Sequence, residues 1–557
     1  MKKYLYSTIC VLLSLNVINA QNRTVGTTVF ENGTLDGYTF FSPFSGRNAY
    51  MIDNCGNLIN QWDRNSLPGL AAYFQSDGNI LRTYKVSPVG PFTSASNAGG
   101  IELVDWENNT VWSYELNTDT ELSHHDATLL PNGNILLLTW ELIQKDELEV
   151  LGRNPNEIAP PGFVWGERII EIKPIGDSEA EIIWEWRIKD HFIQDRDSSL
   201  ENFGVIAENA QLFDINLPDI NSSNSHSDLD YNHFNAIDYR EDLDQILISV
   251  RNSDELWILD HSTTTAEAAS HEGGRSGMGG DILYRWGNPS AYQGASISKQ
   301  RFFGQHGVNW IDEGPDENKI LVYNNGNGRP GTDFSTIEIL EPPLNADGTY
   351  EKMGIEPFGP EAVNWKYGDE EKDRFYSPFL SNAQFLTNGN ILINAGSRGE
   401  IFEINSEKEL VWKYIIPLFG DFPATQGDNV NNNATFRAYK YSTEFVGFDG
   451  IDVQVNDPIE VDPIPFQQCD IMNSIPMLAN DELFNIYVGN GFLKFENLTA
   501  ENLNLKCFDI RGKLIKHIQI DDLDLQLSTY NMSSGLYFFV ATDEHKRQFV
   551  RQAAVVN

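Results

Sequence analysis

Short apolar runs separated by polar turns follow one another along most of this chain. From about residue 28 to residue 450, a turn of the type Asp/Asn-Gly-Asn repeatedly leads into an apolar strand, at 77–81, 132–136 and 388–392, with weaker copies at 243–247 and 317–321. Asn-Gly and Asp-Gly supply the positive φ angles that tight hairpin turns require. Almost no long stretch has helical periodicity, so the pattern predicts an all-β protein built from antiparallel hairpins.

A second repeat strengthens this prediction. Apolar strands that end in tryptophan recur after the turns, at Trp62, Trp112, Trp186, Trp257, Trp365 and Trp412. Units that combine a turn with a tryptophan-ended strand are typical of repeated four-stranded sheets, the architecture of a β-propeller. Five turns and six such strands favour six blades, although seven are allowed. The alternative is a pair of β-sandwiches, which would need no such repeat.

Four segments are predicted from the changes in character along the chain. Residues 1–20 have a charged start, an apolar core and a small residue before Gln21, and are typical of a signal peptide. Residues 21–448 carry the propeller repeat, 449–475 form an acidic linker, and 476–557 form a C-terminal β-sandwich domain. No other apolar run approaches the ~20 residues of a membrane span, so we expect no transmembrane segment.

Charge and cysteine content narrow the possible partners. The net charge of −41 argues against nucleic acid, because phosphate binding needs clustered lysine and arginine. An anionic substrate would therefore need a local cationic site. Cys10 lies in the signal peptide, and Cys55, Cys469 and Cys507 are too few and too irregular for a disulfide framework or a zinc site. We expect these three to be free or to form a single pair.

The stretch from residue 230 to 252 carries the first candidate chemistry. It predicts one strand that starts at His233, an acidic turn at 240–244, and a second strand that ends at Arg251. The two ends of an antiparallel hairpin lie side by side, so His233 and Arg251 could point into one pocket.

Histidines in other repeats add to this pair. His124 and His125, and also His306, precede or begin a strand that leads into a hairpin turn, as His233 does. In a propeller such positions line the same end of the central channel, so His125, His233 and His306 should converge with Arg251. The remaining six histidines are assigned to loops or to the C-terminal domain: His191, His226, His261, His271, His517 and His545.

Three readings of this histidine group remain open. Three histidines can hold a metal ion, and they can also act as nucleophile, acid/base and anion partner. Arg251 disfavours a metal and suits a transferring oxyanion group. The third reading is that the histidines are only structural. Asn235 is a candidate side-chain donor. Aromatic residues near the histidines could stack on a ligand ring or simply pack: Tyr231, Phe234, Phe303 and Trp310.

Residues 37–450 also resemble the bacterial arylsulfotransferases, which take sulfate from an aryl sulfate and need no nucleotide donor. The resemblance rests on several motifs in one order: 37–43, 50–56, His124-His125-Asp126, His233-Phe-Asn235 with Arg251, 284–289, 304–306 and 436–441. It implies a six-bladed propeller without a cofactor or metal, acting on an aryl sulfate donor and a phenolic acceptor.

The resemblance also implies roles for single residues. His306 looks like the nucleophile that becomes sulfohistidine in a ping-pong reaction, with His125 and His233 as its partners and Arg251 on the sulfate oxygens. His124 adjoins His125 and could carry that role instead. The expected substrate-binding residues are Asn235, His124, Tyr231 and Phe303.

The C-terminal domain resembles the sorting domain of the type IX secretion system, on the motifs at 507–513, 534–538 and 546–551. This resemblance implies recognition by the secretion machinery and passage through the periplasm to the cell surface or the medium. A homodimer is compatible with the sequence.

Three functions are therefore considered. The leading one is an aryl-sulfate sulfotransferase. A non-catalytic propeller that binds a ligand or partner is the second, and a metal-dependent hydrolase that uses the histidine group is the third.

Overall fold

A computed structural model describes residues 23–158, 160–217 and 229–464, and beyond them the segments 484–489, 492–497, 503–509, 513–520, 524–529, 535–542 and 548–555 with residues 469 and 532. The predicted signal peptide lies outside these residues. The chain divides into two compact units, Met1–Pro463 and Ile464–Asn557. The limits of the propeller domain, the linker and the C-terminal domain remain predictions.

Strands dominate the first unit. In chain order they are β1 (Gly26–Phe30), β2 (Gly37–Pro43), β3 (Ala49–Ile52), β4 (Leu58–Trp62), β5 (Pro68–Phe74), β6 (Ile80–Lys85), β7 (Gly99–Val104), β8 (Thr110–Glu115), β9 (Glu121–Leu129), β10 (Ile135–Gln144), β11 (Phe163–Ile175), β12 (Glu179–Arg187), β13 (Phe192–Ile193), β14 (Phe213–Asp214), β15 (Phe234–Arg240), β16 (Gln245–Val250), β17 (Glu255–Asp260), β18 (Ile282–Trp286), β19 (His306–Trp310), β20 (Ile320–Asn324), β21 (Thr336–Leu340), β22 (Trp365–Tyr367), β23 (Asn382–Phe385), β24 (Ile391–Ala395), β25 (Glu400–Ile404), β26 (Leu410–Ile415), β27 (Leu418–Phe419), β28 (Phe422–Pro423) and β29 (Thr435–Ser442).

Helices in the described residues are short. The α-helices are α1 (Lys145–Val150) and α2 (Thr265–Ala268). Single 3-10 turns lie at Pro155–Glu157, Ile188–His191, Ile206–Glu208, Arg251–Ser253, Pro289–Tyr292, Ile297–Lys299, Glu371–Asp373, Gly396–Arg398 and Val446–Phe448. The prediction of an all-β protein is confirmed.

Six antiparallel sheets of four or five strands follow one another in the described part of the first unit. Their strand orders are β29-β2-β3-β4, β5-β6-β7-β8, β9-β10-β11-β12, β15-β16-β17-β18, β19-β20-β21-β22, and β23-β24-β25-β26-β1. The first sheet thus takes its first strand from near residue 440, while β1 extends the last sheet. Two-strand pairs, β13-β14 and β27-β28, lie outside these sheets.

The predicted hairpin turns are confirmed. Each of the five turns joins the first and second strand of a sheet. In the three strongest copies the central glycine (Gly78, Gly133 or Gly389) has a φ of +83°, a conformation that strains any residue with a Cβ atom. The Asn-Gly signal therefore identified backbone positions that only glycine occupies without strain.

The tryptophan repeat has a structural explanation. Indole N–H groups on the fourth strands donate to backbone carbonyls of the following sheet: Trp62 to Asp105 at 2.8 Å, Trp112 to Glu179 at 2.9 Å, and Trp412 to Asn54 at 2.7 Å. A buried indole needs such an acceptor, so each tryptophan fixes one sheet against the next. The predicted position at the end of a strand holds for Trp62, which ends β4, and nearly for Trp186, one residue before the end of β12. The others differ: Trp112 and Trp412 lie inside β8 and β26, Trp365 begins β22, and Trp257 lies inside the third strand β17.

The first strands of the sheets contact one another in sequence. Contacts run from β29 to β5, then to β9, β15, β19 and β23, and from β23 back to β29. Candidate residues on these strands are therefore brought together although they are far apart in the chain. The number of blades remains a prediction.

The second unit is also built from strands. They are β30 (Phe484–Gly489), β31 (Phe492–Asn497), β32 (Leu503–Asp509), β33 (Leu514–Ile520), β34 (Asp524–Ser528), β35 (Gly535–Thr542) and β36 (Gln548–Val555). They form the antiparallel sheets β30-β31-β34 and β33-β32-β35-β36. Cys507, on β32, is free and buried, whereas Cys55 and Cys469 are each part of a disulfide.

Among the described residues, no helix is long and apolar enough to cross a membrane.

An ion pair fixes the turn between β15 and β16. His261, which the sequence placed in a loop, lies with Nδ1 2.7 Å from Asp244 Oδ1 and with Nε2 3.2 Å from Glu171 Oε2 on β11 of the preceding sheet. Burial alone would lower the pKa of His261, but the two carboxylates outweigh burial and raise this pKa from 6.5 to about 9. The imidazolium therefore joins two sheets.

We expect His261→Gln to lower the free energy of unfolding by on the order of 3 kcal/mol at pH 6, the equivalent of the raised pKa. A raised histidine pKa stabilises the fold fully below the unfolded value, and this stabilisation is lost as pH rises through the folded value. The difference between variant and wild type should therefore shrink from pH 7 to above pH 9. Denaturant unfolding across this pH range measures it, and a difference that is constant with pH would contradict the assignment.

Candidate active site

The β15–β16 hairpin places a histidine beside an arginine. Phe234 pairs with Val250 at its open end, and the backbone N–H of Arg251 donates to the carbonyl of His233 at 3.2 Å. The predicted neighbourhood of His233 and Arg251 is confirmed. Both side chains are buried, and the positive charge of Arg251 is one of the causes that lower the pKa of His233.

The histidines of the neighbouring first strands lie close to this pair. His125 on β9 has its ring centroid 4.5 Å from that of His233. His306 begins β19, and both Arg251 and His233 are near enough to lower its pKa. The structure thus brings together His125, His233, His306 and Arg251, each with no more than 4% of its surface exposed.

Hydrogen bonds fix which nitrogen of His306 carries the proton. Nδ1 lies 3.0 Å from the Gly304 carbonyl and 2.8 Å from Asn325 Oδ1. A carbonyl oxygen can only accept, so Nδ1 donates and Nε2 keeps its lone pair. The Asn325 amide is itself oriented, because its Nδ2 donates to the carbonyls of Ser377 at 2.7 Å and Leu380 at 3.1 Å.

The surroundings also keep His306 neutral. Burial lowers the pKa of His306 well below its usual value of 6.5, and the positive charges of Arg251 and Arg437 lower it further. The hydrogen bond with Asn325 raises the pKa of His306, but by less than burial and the two charges lower it. At neutral pH the ring is therefore an uncharged imidazole with a defined nucleophilic nitrogen.

His233 has the geometry of a general base. Its Nδ1 donates to Asp230 Oδ2 at 2.5 Å, which leaves the lone pair on Nε2 in the neutral ring. Burial, followed by the charge of Arg251, lowers the pKa of His233 well below 6.5. A carboxylate that holds one imidazole nitrogen so that the other can take a proton is the arrangement found in catalytic triads.

His124 was expected to bind substrate or to replace His125. Its ring is fully buried and stacks on Trp140 at 4.0 Å, its Nε2 lies 3.0 Å from Glu167 Oε2, and its Nδ1 lies 2.8 Å from Nδ1 of His125. Both ring nitrogens thus face protein groups. Burial lowers the pKa of His124 to about 3 and raises the pKa of Glu167.

A chain of hydrogen bonds from Glu167 through His124 to His125 determines which ring nitrogen of His125 carries the proton. If Glu167 is ionised, His124 donates to it and accepts from Nδ1–H of His125; if Glu167 is protonated, both bonds reverse. The second oxygen of Glu167 accepts from the backbone N–H of Phe234 at 2.8 Å. One carboxylate therefore orients His125 through His124 and also holds the chain beside His233.

The other predicted substrate-binding residues are also engaged by protein groups. Asn235 donates through Nδ2 to the Gln305 carbonyl at 2.9 Å, directly before His306, and thereby positions β19. The Tyr231 hydroxyl donates to the Ile215 carbonyl at 2.8 Å, and Arg153 covers its ring at 4.5 Å. Substrate binding by Asn235 and Tyr231 stays a prediction.

Three aromatic candidates remain. The Trp310 ring lies under the Arg240 guanidinium, 5.2 Å from the centre of the ring, and the other two differ from each other. Phe303 is 9% exposed, and the Arg329 guanidinium lies 5.3 Å from the centre of its ring. Phe234 is fully buried and packs against Trp186 and Trp257. Direct contact with a ligand ring therefore stays a prediction for Phe303, whereas Phe234 belongs to the core.

Several site residues were missed from the sequence. Asn325 follows β20 in the run Asn324-Asn325-Gly-Asn, whose Asn-Gly pair is a turn signal in the sequence. Arg437 lies in the motif at 436–441. Its guanidinium donates to the carbonyls of Ser381 at 2.7 Å and Asn235 at 3.0 Å, and it lies 3.5 Å from Asp126 Oδ2. Asp230 begins the stretch from 230 to 252 but was given no role, and Glu167 had no local signal.

A cavity of about 410 Å³ adjoins this group on one side. Its lining begins one residue after the histidines, at Asp126 and Gly307, and includes Tyr73, Asp238 and Arg437. The predicted catalytic histidines do not line it. Burial raises the pKa of Asp238 to about 7, and the Arg437 guanidinium in this lining lies 3.5 Å from Asp126 Oδ2.

Comparison with known proteins identifies the family. The sequence model of the family described as arylsulfotransferase (ASST) matches residues 45–415, and that of the secretion system C-terminal sorting domain matches residues 484–556. No curated protein matches the chain.

Solved structures are only distantly similar. A protein of unknown function from Bacteroides caccae is 11% identical, with a TM-score of 0.37, over 68% of this chain and 93% of its own. Virginiamycin B lyase from Staphylococcus aureus is 13% identical, with a TM-score of 0.31, over 71% and 89%. The periplasmic gluconolactonase PpgL from Pseudomonas aeruginosa is 8% identical, with a TM-score of 0.34, over 87% and 96%.

The first family match spans well over half of the chain and contains every predicted catalytic residue. The protein belongs to the arylsulfotransferase family and carries a type IX secretion sorting domain at its C-terminal end.

Proposed function

We propose that this sulfotransferase moves a sulfuryl group from an aryl sulfate ester to a phenolic acceptor, through a sulfohistidine at His306. The observation that carries the proposal is the fixed tautomer of His306, whose Nδ1 donates to Gly304 and Asn325 so that Nε2 is the nucleophile beside Arg251. The six sheets then act as six propeller blades, whose first strands surround the site.

In the first half-reaction the His306 Nε2 lone pair attacks the sulfur of the aryl sulfate. An N–S bond forms, the bond between sulfur and the aryl oxygen breaks, and the phenolate leaves with that electron pair. Charge spreads over the three sulfuryl oxygens, as in phosphoryl transfer, so positioning and electrostatic stabilisation supply most of the catalysis. Arg251 is the group proposed to hold these oxygens.

In the second half-reaction a phenol replaces the first product. His233 Nε2 takes its proton while Asp230 holds the opposite nitrogen, and the new phenolate attacks the sulfur of sulfo-His306. The N–S bond breaks and its electrons return to Nε2. His233 then releases the proton to water, which resets the site.

His125 completes the group that surrounds the sulfuryl acceptor. Its ring lies 4.5 Å from that of His233, and the Glu167–His124 pair sets whether its Nδ1 accepts or donates. We assign His125 the orientation of the donor or acceptor oxygen, and His124 the positioning of His125.

The sorting domain indicates export, and we propose that the enzyme acts outside the outer membrane on soluble aryl sulfates. A homodimer remains a prediction.

A chromogenic aryl sulfate with a phenolic acceptor separates this function from the metal-dependent hydrolase. Transfer to the phenol should survive a chelator and should fall by at least about 10³-fold in His306→Ala, because the nucleophile is lost. His517→Ala removes an exposed histidine in the second unit and should have no effect. Phenol release without a new sulfate ester, or full activity in His306→Ala, would overturn the proposal.

The pH dependence tests the cation beside His306. Phenol release in the first half-reaction should show no loss of rate near pH 6.5, because the pKa of His306 lies well below that value. Arg251→Met removes a charge that lowers this pKa, so the loss of rate at acid pH should begin at a higher pH than in wild type. The rate should also fall by about 10²–10³-fold, as after loss of an oxyanion donor.

Arg275→Met, which removes an arginine with 61% of its side chain exposed, is the matched control. A pH profile for Arg251→Met that is lower but unshifted would contradict the proximity of this charge to His306.

A further inference from the structure

We infer that His191, His271 and Asp281 form a binding site for a divalent transition metal of the zinc type. The three belong to the long insertions 190–228 and 263–305, whose histidines the sequence had assigned to loops. His191 ends the 3-10 turn Ile188–His191 after β12, His271 follows α2, and Asp281 directly precedes β18. Two separate insertions thus meet at one carboxylate.

Both imidazoles point at the same oxygen. Nδ1 of His191 lies 2.9 Å from Asp281 Oδ1, and Nδ1 of His271 lies 2.7 Å from it. All three ligand atoms lie within 4.8 Å of one another. Two nitrogen donors and one carboxylate are a ligand set that suits zinc, cobalt or nickel rather than magnesium or calcium.

The hydrogen bond of Nε2 determines which nitrogen of His191 carries the hydrogen. Nε2 lies 2.8 Å from the Ala268 carbonyl, which can only accept, so Nε2 carries a hydrogen. In the neutral ring Nδ1 is then a lone pair that faces the carboxylate oxygen. Two acceptor atoms at this distance need a proton or a metal ion between them. A ring N–H donated to a backbone carbonyl is also the usual arrangement of a metal-bound histidine.

The remaining geometry suits a metal. Ligand atoms around a tetrahedral ion with bonds of about 2.0–2.1 Å lie about 3.3 Å apart, so the distances of 2.9 and 2.7 Å from the two Nδ1 atoms to Asp281 Oδ1 must lengthen by about half an ångström. His271 can supply this movement, because 60% of its side chain is exposed. The same exposure leaves room for water at the fourth position, while His191 and Asp281 are buried.

The local backbone is built to bring the ligands together. A Cβ atom on Gly280 would lie 2.0 Å from the Ala268 carbonyl, which holds His191, and one on Gly279 would lie 2.2 Å from the Ser270 carbonyl. The chain between His271 and Asp281 therefore folds tightly over the end of α2, which only glycine permits at these two positions.

The proposed metal site lies next to the aromatic side chains of Trp186 and Phe234, which pack beside the candidate active site. The rings of His191 and Trp186 stack, with centroids 5.3 Å apart and planes 2° apart. The ring centroid of Trp186 lies 6.2 Å from that of Phe234. Phe234 directly follows His233. A metal ion at this site would fix the two insertions against Trp186 and would take no part in the sulfuryl transfer. The inference therefore does not depend on the proposed function.

The test is metal binding by the untagged full-length protein. After treatment with chelator and removal of the chelator, it is titrated with Co²⁺, followed by visible absorption, and with Zn²⁺, followed by calorimetry. We expect one equivalent to bind, with thermal stabilisation of the protein. His271→Ala and Asp281→Asn should weaken binding by at least about tenfold, and His517→Ala should bind as wild type does.

His271 is exposed, so its loss should leave the fold intact, and an unchanged circular dichroism spectrum would verify this. Absence of stoichiometric binding by wild type would mean a hydrogen-bonded histidine–aspartate cluster only and would overturn the inference. Binding by His271→Ala and Asp281→Asn at wild-type affinity would overturn it as well.

Discussion

A histidine buried beside guanidinium groups resists a second proton, and this constraint governs the chemistry of the site. Burial and the charges of Arg251 and Arg437 lower the pKa of His306, and burial with Arg251 does the same for His233. Neutral imidazoles need a defined tautomer before they can act, and the protein supplies it with acceptors on one side of each ring. Gly304 and Asn325 hold Nδ1 of His306, and Asp230 holds Nδ1 of His233. Both rings therefore keep their lone pairs on Nε2.

The fold supplies what this arrangement needs, which is precise placement of groups that are far apart in the chain. Antiparallel sheets place their first strands side by side, and tryptophan N–H groups on the outer strands fix one sheet against the next. Single polar side chains then connect the strands. Glu167 contacts both His124 and the backbone of Phe234, and Asn235 holds the carbonyl before His306. A substitution at these positions would displace a ring of the candidate site from a distance.

The sequence predicted those parts of the structure that local chemistry determines. Asn-Gly turns identified the hairpins because positive φ is a property of single residues, and the hairpin from 230 to 252 placed His233 beside Arg251 because register follows from the turn. Contacts across long separations gave no such signal. Asn325 and Glu167 reach the site through a bond to a ring nitrogen, and such bonds depend on side-chain orientation. Hence His124 was assigned to substrate, whereas the structure shows both its nitrogens on protein groups. The insertions followed no repeat, so the cluster of His191, His271 and Asp281 could not be foreseen.

The central claim is that His306 carries the sulfuryl group. The most direct test is mass spectrometry of the enzyme, quenched at alkaline pH after mixing with an aryl sulfate and no acceptor, followed by peptide mapping. The account predicts a mass gain of one sulfuryl group on the peptide that contains His306, its disappearance when a phenol is added, and its absence in His306→Ala. An active enzyme that gains no such mass, or that carries it on another residue, would contradict the claim.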